Sequence, residues 1–177
     1  MMPFPDKKYQ IIYADPPWKY RDTAEFKKFR PNGFGAVFHY PVMSTEDICR
    51  LKIPSDKNSI LFLWVTTPFL EEGFQVMNSW GFKYKTALYW DKINIGTGHY
   101  FRGQIEVLLV GTKGKIKAFH TQIRNIISEK KTKHSKKPQI FYDIINSLGY
   151  ENKIELFARQ KTEGWDVWGN EIENGSI

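Results

Sequence analysis

A short apolar run that ends at two consecutive prolines constrains this chain more than any other feature. The run Gln10–Ala14 is rich in β-prone residues, and Asp-Pro-Pro-Trp follows it directly at positions 15–18. Neither proline can donate a hydrogen bond to a β-ladder, so the strand must end here. Pro17 also keeps Pro16 out of the helical region. The pattern therefore predicts a stiff loop at the carboxyl end of a strand, the edge at which open α/β sheets bind ligands.

This loop offers a carboxylate, a rigid carbonyl and a flat aromatic ring, and we take Asp15, Pro16, Pro17 and Trp18 as candidate catalytic residues. Asp15 and the Pro16 carbonyl could each accept a hydrogen bond from a planar amino group, such as the 6-amino group of adenine. Trp18 is then expected to stack on the extruded base, which would contribute about 1–3 kcal/mol. The alternative is a purely structural turn with Trp18 at the edge of the core. The strand before the loop favours the catalytic interpretation.

Strands and helices alternate along the chain. Strands are predicted over 10–14, 59–66, 84–90, 105–110 and 153–158. Helices are predicted over 45–51, 69–80 and 138–148, with Ser44 as an N-cap and with Gly81 and Gly149 after the carboxyl ends. This alternation predicts a mostly parallel α/β sheet. The length of 177 residues suits one domain over 1–177.

The net charge of +7 is concentrated in two stretches. Between Lys113 and Lys137, nine Lys or Arg residues accompany one acid, which gives a local charge of +8. The stretch 19–30 holds five bases and two acids, including the candidate substrate contacts Lys19 and Arg21. Solvated surface is the ordinary explanation of such runs. Because both runs flank the candidate base pocket in sequence, contact with nucleic-acid phosphates is favoured here.

Several classes of protein are disfavoured by composition. No apolar run approaches the ~20 residues of a membrane helix, and residues 1–8 lack the apolar part of a signal peptide. A lone cysteine, Cys49, excludes a disulfide framework and favours a reducing compartment, so we expect a cytoplasmic protein without membrane association. The four histidines show no metal-ligand spacing, and we expect no metal site.

Further motifs accompany the Asp-Pro-Pro-Trp loop. They are Tyr-Pro-Val-Met-Ser at 40–44, Leu-Phe-Leu-Trp-Val-Thr at 61–66, Trp-Gly at 80–81, Gly-Thr-Gly-His at 96–99, the segment 106–111, His-Ser-Lys-Lys-Pro at 134–138, Glu-Leu-Phe-Ala-Arg at 155–159 and Gly-Trp-Asp-Val-Trp-Gly-Asn-Glu at 164–171. Together they resemble, over nearly the whole chain, the adenine-N6 methyltransferases related to the seventy-kilodalton catalytic subunit of the mRNA methyltransferase. The resemblance implies S-adenosyl-L-methionine as cofactor and a Rossmann-like methyltransferase fold. It also implies a circular permutation that places the catalytic strand before the cofactor strand.

The resemblance also implies roles for individual residues. It places Asp15 beside both the target adenine and the cofactor, and Lys137 at the methionine carboxylate of the cofactor. The remaining implied contacts are the cofactor pocket for Phe157 and Arg159, the ribose hydroxyls for Asn170 and Glu171, and the neighbourhood of the target base for Tyr40 and Glu106.

The identity of the substrate stays open at this stage. The compact chain resembles prokaryotic and phage members of the family, which favours DNA over RNA. A non-catalytic nucleic-acid-binding subunit and a cytosine amino-group methyltransferase are the alternatives. Target recognition is expected from the irregular stretches 19–40 and 114–133, from a homodimer or from a partner subunit, unless sequence specificity is weak.

Overall fold

The computed structural model describes residues 3–19, 42–96, 100–119, 121–131 and 137–169. The strands in this part of the chain are β1 (Tyr9–Ala14), β2 (Ser55–Thr66), β3 (Lys83–Asp91), β4 (Ile105–Lys113), β5 (Ile126–Ser128), β6 (Lys153–Leu156) and β7 (Asp166–Trp168). The helices are α1 (Thr45–Arg50), α2 (Leu70–Ser79) and α3 (Gln139–Asn146), and a 3₁₀ turn over Thr67–Phe69 leads into α2. None of these helices has the length and apolar character that a membrane crossing requires.

The strands of the described residues form one mixed sheet in the order β5-β3-β4-β2-β1-β6-β7. Strand β4 runs antiparallel to both of its neighbours, β2 and β3, while the remaining pairs are parallel. The prediction of a mostly parallel sheet is therefore confirmed, with β4 as the exception. A loop over 92–104 joins β3 to β4 as a hairpin, a connection that brings consecutive strands together antiparallel.

The direction of β4 decides which residues meet at the sheet edge. Strands β1, β2, β3 and β6 all end at the same edge, which we call the carboxyl edge, and β4 begins there. In the register, Thr66 at the end of β2 lies opposite Glu106 at the start of β4. Ala14 lies opposite both Leu63 and Leu156. The residues that follow β1 and β6 therefore emerge beside Glu106.

Helices cover both faces of the sheet. Side chains alternate along β1, so Ile12 packs with α1 and α2 while Ile11 packs with α3. Ile60 to Val65 of β2 are buried throughout, as expected for a strand covered on both faces. The result is a three-layer α/β/α arrangement with the central strands β1 and β2 at its core.

The boundaries of the helices follow the predicted signals closely. Ser44 caps α1, because its side chain accepts a hydrogen bond from the Asp47 amide at 3.1 Å. Gly81 adopts a φ of +81° after α2, and the Phe82 amide donates to the Met77 carbonyl. Strand β6 ends at Leu156, two residues earlier than predicted, and Phe157 beyond it has a φ of +62°, which breaks the extended backbone.

Candidate active site

The loop that follows β1 is held at its middle by backbone hydrogen bonds to Met43. The Pro17 carbonyl accepts from the Met43 amide at 2.8 Å, and the Lys19 amide donates to the Met43 carbonyl at 3.1 Å. Within the loop, the Trp18 amide donates to the Pro16 carbonyl at 2.9 Å. A carbonyl oxygen has two lone pairs, so Pro16 keeps acceptor capacity for a substrate amino group. The loop is thus stiff without belonging to the sheet, as the double proline predicts.

Trp18 does not have the position that the sequence predicted for it. The side chain is 6% exposed, and its ring stacks on Phe69 with centroids 5.6 Å apart. Its Nε1 donates to the Trp64 carbonyl at 3.2 Å. The prediction that Trp18 stacks on an extruded base is therefore wrong, because the ring is enclosed by the core. Trp18 instead anchors the loop that carries Asp15.

A chain of four alternating charges crosses the carboxyl edge. Lys137 Nζ lies 2.9 Å from Asp15 Oδ2 and 3.0 Å from Glu106 Oε2. Lys92 Nζ lies 3.2 Å from Glu106 Oε1. Four different elements supply these side chains: the loop after β1, the start of β4, the segment before α3 and the end of β3. The fold therefore assembles this cluster from residues that are far apart in sequence.

Burial makes the charges of this cluster interact strongly. The Lys137 side chain is 11% exposed, and its Nζ lies 4.9 Å from the centroid of the Trp64 ring, which adds a cation–π contact. Burial alone would lower the pKa of Lys137, but the ion pairs with Asp15 and Glu106 raise it overall. Lys137 is therefore a permanent cation between two carboxyl groups.

The pKa values of the two carboxyl groups in the cluster shift in opposite directions. Burial raises the pKa of Asp15, and repulsion from Glu106 adds to the effect, although Lys137 and Arg159 oppose it. Burial alone would also raise the pKa of Glu106, but Lys137 and Lys92 together hold that pKa below its ordinary value. Asp15 is thus the carboxyl of this cluster that binds a proton more readily, and Glu106 stays ionised.

Lys92 is a site residue that the sequence prediction missed. It comes directly after β3, and the signal that could have indicated it is this position at the carboxyl end of a strand. Glu106 was predicted near the target base, and the structure brings it next to Asp15 through Lys137. An ammonium group has three donors, and Lys137 uses two of them on these carboxylates. Its implied contact with a cofactor carboxylate stays a prediction.

Phe157 and Arg159 follow β6 at the same edge. The Phe157 ring packs edge-on against Trp168, with centroids 5.5 Å apart, and is half-buried. Arg159 is close enough to Asp15 for its charge to lower the pKa of that carboxyl. Both residues therefore lie beside the candidate catalytic loop, where the resemblance places the cofactor pocket.

Five predicted site residues remain, and the structure describes one of them. Lys19 is described, and its side chain is exposed just beyond the loop. Tyr40, Arg21, Asn170 and Glu171 lie outside the described residues. Their predicted contacts with the base, the nucleic acid and the ribose stay predictions.

Glu155 is a third acid near this edge, part-buried, for which the sequence predicted no role. It lies opposite Tyr13 in the register of β6 with β1. Its Oε1 accepts a hydrogen bond from the Tyr142 hydroxyl at 2.9 Å, and its Oε2 accepts from the Thr162 hydroxyl at 3.2 Å. Burial raises the pKa of Glu155 to about 7, while these two hydrogen bonds oppose the rise.

A surface concavity of about 870 Å³ lies at the opposite edge of the sheet, near the starts of β1 and β7. Lys7, Tyr9, Trp165 and Asp166 are among the residues that line it. We place the candidate site at the carboxyl edge rather than in this concavity, because the buried charge cluster and the perturbed carboxyl groups lie there.

Comparisons with known proteins show which family this chain belongs to. The MT-A70 family model matches residues 9–171. The chain is 38% identical over 190 residues to the type II methyltransferase M.MunI of Mycoplasma sp, covering 98% of this chain and 82% of that protein. It is 28% identical to the human N(6)-adenosine-methyltransferase catalytic subunit METTL3 and to a putative MT-A70-like N(6)-adenosine-methyltransferase of Medicago truncatula. These matches cover 94% and 93% of this chain but only 28% and 26% of those longer proteins. The resemblance inferred from the motifs is confirmed, and the chain belongs to the MT-A70 family of adenine-N6 methyltransferases.

Proposed function

We propose that this chain transfers a methyl group from S-adenosyl-L-methionine to the 6-amino group of adenine in DNA. The observation that carries the proposal is the Asp15 carboxylate at the end of β1, next to the Pro16 carbonyl and paired with the buried Lys137. DNA is favoured as the polymer because the similarity to M.MunI spans most of both chains, whereas the N(6)-adenosine enzymes are several times longer.

The residues at the carboxyl edge fit the chemical groups of this cofactor. Its methionine end carries a carboxylate and an ammonium, for which Lys137 and Arg159 supply cations and Asp15 supplies an anion. Phe157 offers an aromatic ring at the end of β6, the strand beside β1. When bound, the cofactor supplies an activated methyl group. Contacts of Asn170 and Glu171 with the ribose, and the circular permutation of the fold, belong to the same proposal.

Asp15 and Pro16 would act on the nucleophile. The 6-amino nitrogen of adenine is a weak nucleophile because its lone pair is delocalised into the ring. If Asp15 and the Pro16 carbonyl accept its two N–H groups, the nitrogen moves toward tetrahedral geometry and its lone pair becomes available. The acceptors also lie where positive charge develops on nitrogen, which stabilises the transition state. Asp15, whose pKa is raised, or a water molecule then takes the proton.

The test is a methyl-transfer assay with labelled cofactor. Duplex DNA, single-stranded DNA and RNA are offered in parallel, and the products are digested and analysed as nucleosides by mass spectrometry. The expected product is N6-methyldeoxyadenosine from DNA. Methylcytosine would overturn the choice of base, and transfer to RNA alone would overturn the choice of polymer. Cofactor binding without transfer to any polymer would instead identify a non-catalytic subunit, or one that needs a partner.

A further inference from the structure

The loop between β3 and β4 presents two aromatic side chains to solvent. Tyr100 is 97% exposed and Phe101 is 90% exposed. Ile93 and Ile95 of the same loop are also exposed, at 44% and 65%. One loop therefore exposes four large apolar side chains to water, and a concentration of exposed apolar groups marks a site of interaction.

Hydrogen bonds join the two arms of this loop to each other. The Lys92 amide donates to the Gln104 carbonyl at 3.0 Å, and the Gly96 amide donates to the Gly103 carbonyl at 2.7 Å. Arg102 Nε donates to the Gly96 carbonyl at 2.7 Å. The two arms of the loop are therefore tied together next to the aromatic residues. A stacking surface needs this kind of support, because a backbone that is already tied down loses less conformational entropy on binding.

Asp91 fastens the root of the loop to strand β5. Its Oδ1 accepts hydrogen bonds from the Ile93 amide at 2.8 Å and from Gln104 Nε2 at 2.6 Å, and its Oδ2 accepts from the Ser128 hydroxyl at 3.1 Å. The Gln104 and Ile93 bonds lower the pKa of Asp91, so the clamp stays ionised. Ile93 has a φ of +64°, a rare conformation for a β-branched residue that the Asp91 bond helps to hold.

The same clamp places positive charge at the root of the loop that carries the aromatic residues. The Glu129 amide donates to the Asp91 carbonyl at 3.0 Å, so the chain after β5 leaves the sheet at the root of the loop. The exposed residues Lys130 and Lys131 follow immediately. Arg102 lies next to Phe101. A loop with exposed aromatic rings and with cations at its root suits a nucleic-acid strand, because bases stack on the rings and phosphates pair with the cations.

The loop is also joined to the candidate active site. Lys92 and Glu106 bracket it in sequence, and their side chains form the 3.2 Å ion pair of the charge cluster. Phe101 is five residues before Glu106, so an extended chain places it at most about 18 Å away. A base bound at Asp15 would therefore leave neighbouring bases within reach of the loop.

We propose that Tyr100 and Phe101 stack on the bases next to the target adenine and hold that adenine out of the duplex. The inference rests on the proposed function and names the residues that take the stacking role which the buried Trp18 cannot fill. Enzymes that modify a base must remove it from the stack, and inserted side chains stabilise the opened duplex. The occupant of this surface is thus the nucleic-acid substrate, rather than a second copy of the chain.

The test compares the double variant Tyr100→Ala, Phe101→Ala with the unchanged protein on three forms of a DNA that the unchanged protein methylates. These are the paired duplex, a duplex with a mismatch opposite the target adenine, and the single strand. We expect at least about a tenfold loss of kcat/KM on the paired duplex, from at least ~1.4 kcal/mol of lost stacking. The loss on the mismatched duplex should be smaller, because the mismatch already weakens pairing of the target. A 2-aminopurine at the target should brighten with the unchanged protein and stay dim with the variant.

Phe74→Ala is the matched control, because Phe74 is an exposed aromatic on α2 that packs edge-on against Tyr84, away from the charge cluster. The Phe74→Ala substitution should leave kcat/KM unchanged on all three forms of the DNA. An equal loss on paired and mismatched duplexes, or no loss, would overturn the proposal. A drop in molar mass of the double variant in light scattering would also overturn it and assign the surface to a second copy. Failure of the unchanged protein to methylate any DNA would contradict the proposed function instead.

Discussion

Lys137 is the residue on which the electrostatics of the site depend. An unpaired ammonium with 11% exposure would be costly, and two carboxylates as close as Asp15 and Glu106 would repel each other. Lys137 forms an ion pair with each carboxylate, so its own charge is compensated and the repulsion between Asp15 and Glu106 is reduced. Removing it therefore leaves the two carboxyl groups without the cation that lies between them.

The Lys137→Met variant should shift the pH dependence of methyl transfer. Activity requires Asp15 as a carboxylate, so it falls as the pH drops through the pKa of Asp15. Lys137 opposes the rise of that pKa, so its loss should raise the pKa further and move the acidic limb of the rate profile to higher pH. The measurement is kcat/KM against pH for both proteins.

Lys92→Met is the control for that shift, because Lys92 pairs with Glu106 and has no ion pair with Asp15. Its acidic limb should move less than the limb of Lys137→Met. An unchanged limb in Lys137→Met would contradict the assignment of Asp15 as the titrating group.

At the scale of elements, α2 packs closely on β2 through Gly73. A methyl group at Gly73 would lie 2.5 Å from Val65 Cγ1 and 3.1 Å from Leu109 Cδ1. Val65 is β-branched and buried in the sheet, so it cannot turn aside easily. The helix can approach the sheet this closely only because residue 73 has no side chain.

Gly73→Ala should destabilise the protein even though alanine favours helices. The gain in helix propensity is about 1 kcal/mol, and the overpacking cost of about 1–3 kcal/mol outweighs it. Urea unfolding should show a net loss of about 1 kcal/mol. Adding Val65→Ala should give a double variant more stable than the sum of the single effects predicts, since the clash is removed. If the changes in the free energy of unfolding of the two single variants simply add, the contact between residues 73 and 65 does not limit stability.

The sequence predicted where strands and helices begin and end, but it did not predict the tertiary contacts between them. The double proline fixed the end of β1, and Ser44 and Gly81 marked helix ends, because these signals act within a few residues. The burial of Trp18 depends on Phe69 and Trp64, and the pairing of Lys137 depends on β4 being antiparallel. These contacts join distant parts of the chain, and no local pattern encodes them.

At the scale of the whole molecule, Glu155 links stability to pH. Its pKa is about 7 in the folded protein, against 4.5 ordinarily. Between these values the folded state binds more protons than the unfolded state, so the free energy of unfolding falls as the pH rises. The loss of stability accumulates between these pH values and is complete above pH 7, where the part-buried carboxyl is ionised.

Glu155→Gln should remove much of this dependence. The amide keeps the shape of the side chain and carries no charge at any pH. Between pH 5 and pH 8 the unchanged protein should lose about 2 kcal/mol more than the variant, or several degrees in Tm. Thermal unfolding at both pH values measures this difference. The exposed Glu151→Gln is the control and should follow the unchanged protein. If the stability of Glu155→Gln and that of the unchanged protein change equally with pH, Glu155 is not the group that links stability to pH.

The proposed functional groups of the molecule gather at the carboxyl edge of the sheet. The candidate catalytic loop, the charge cluster, the residues after β6 and the aromatic loop all emerge there. One surface therefore combines groups suited to the cofactor, the target base and the neighbouring bases.

In the proposed mechanism, the Asp15 carboxylate acts on the amino group of the target adenine. The most direct measurement is the single-turnover rate of methyl transfer to DNA by the unchanged protein and by Asp15→Asn, with cofactor and DNA affinities determined for both. The amide has nearly the same shape but loses the charge and presents N–H donors. We expect a loss of rate of at least about 100-fold, with measurable binding of both ligands at the saturating concentrations used. A rate for Asp15→Asn close to that of the unchanged protein would contradict the claim.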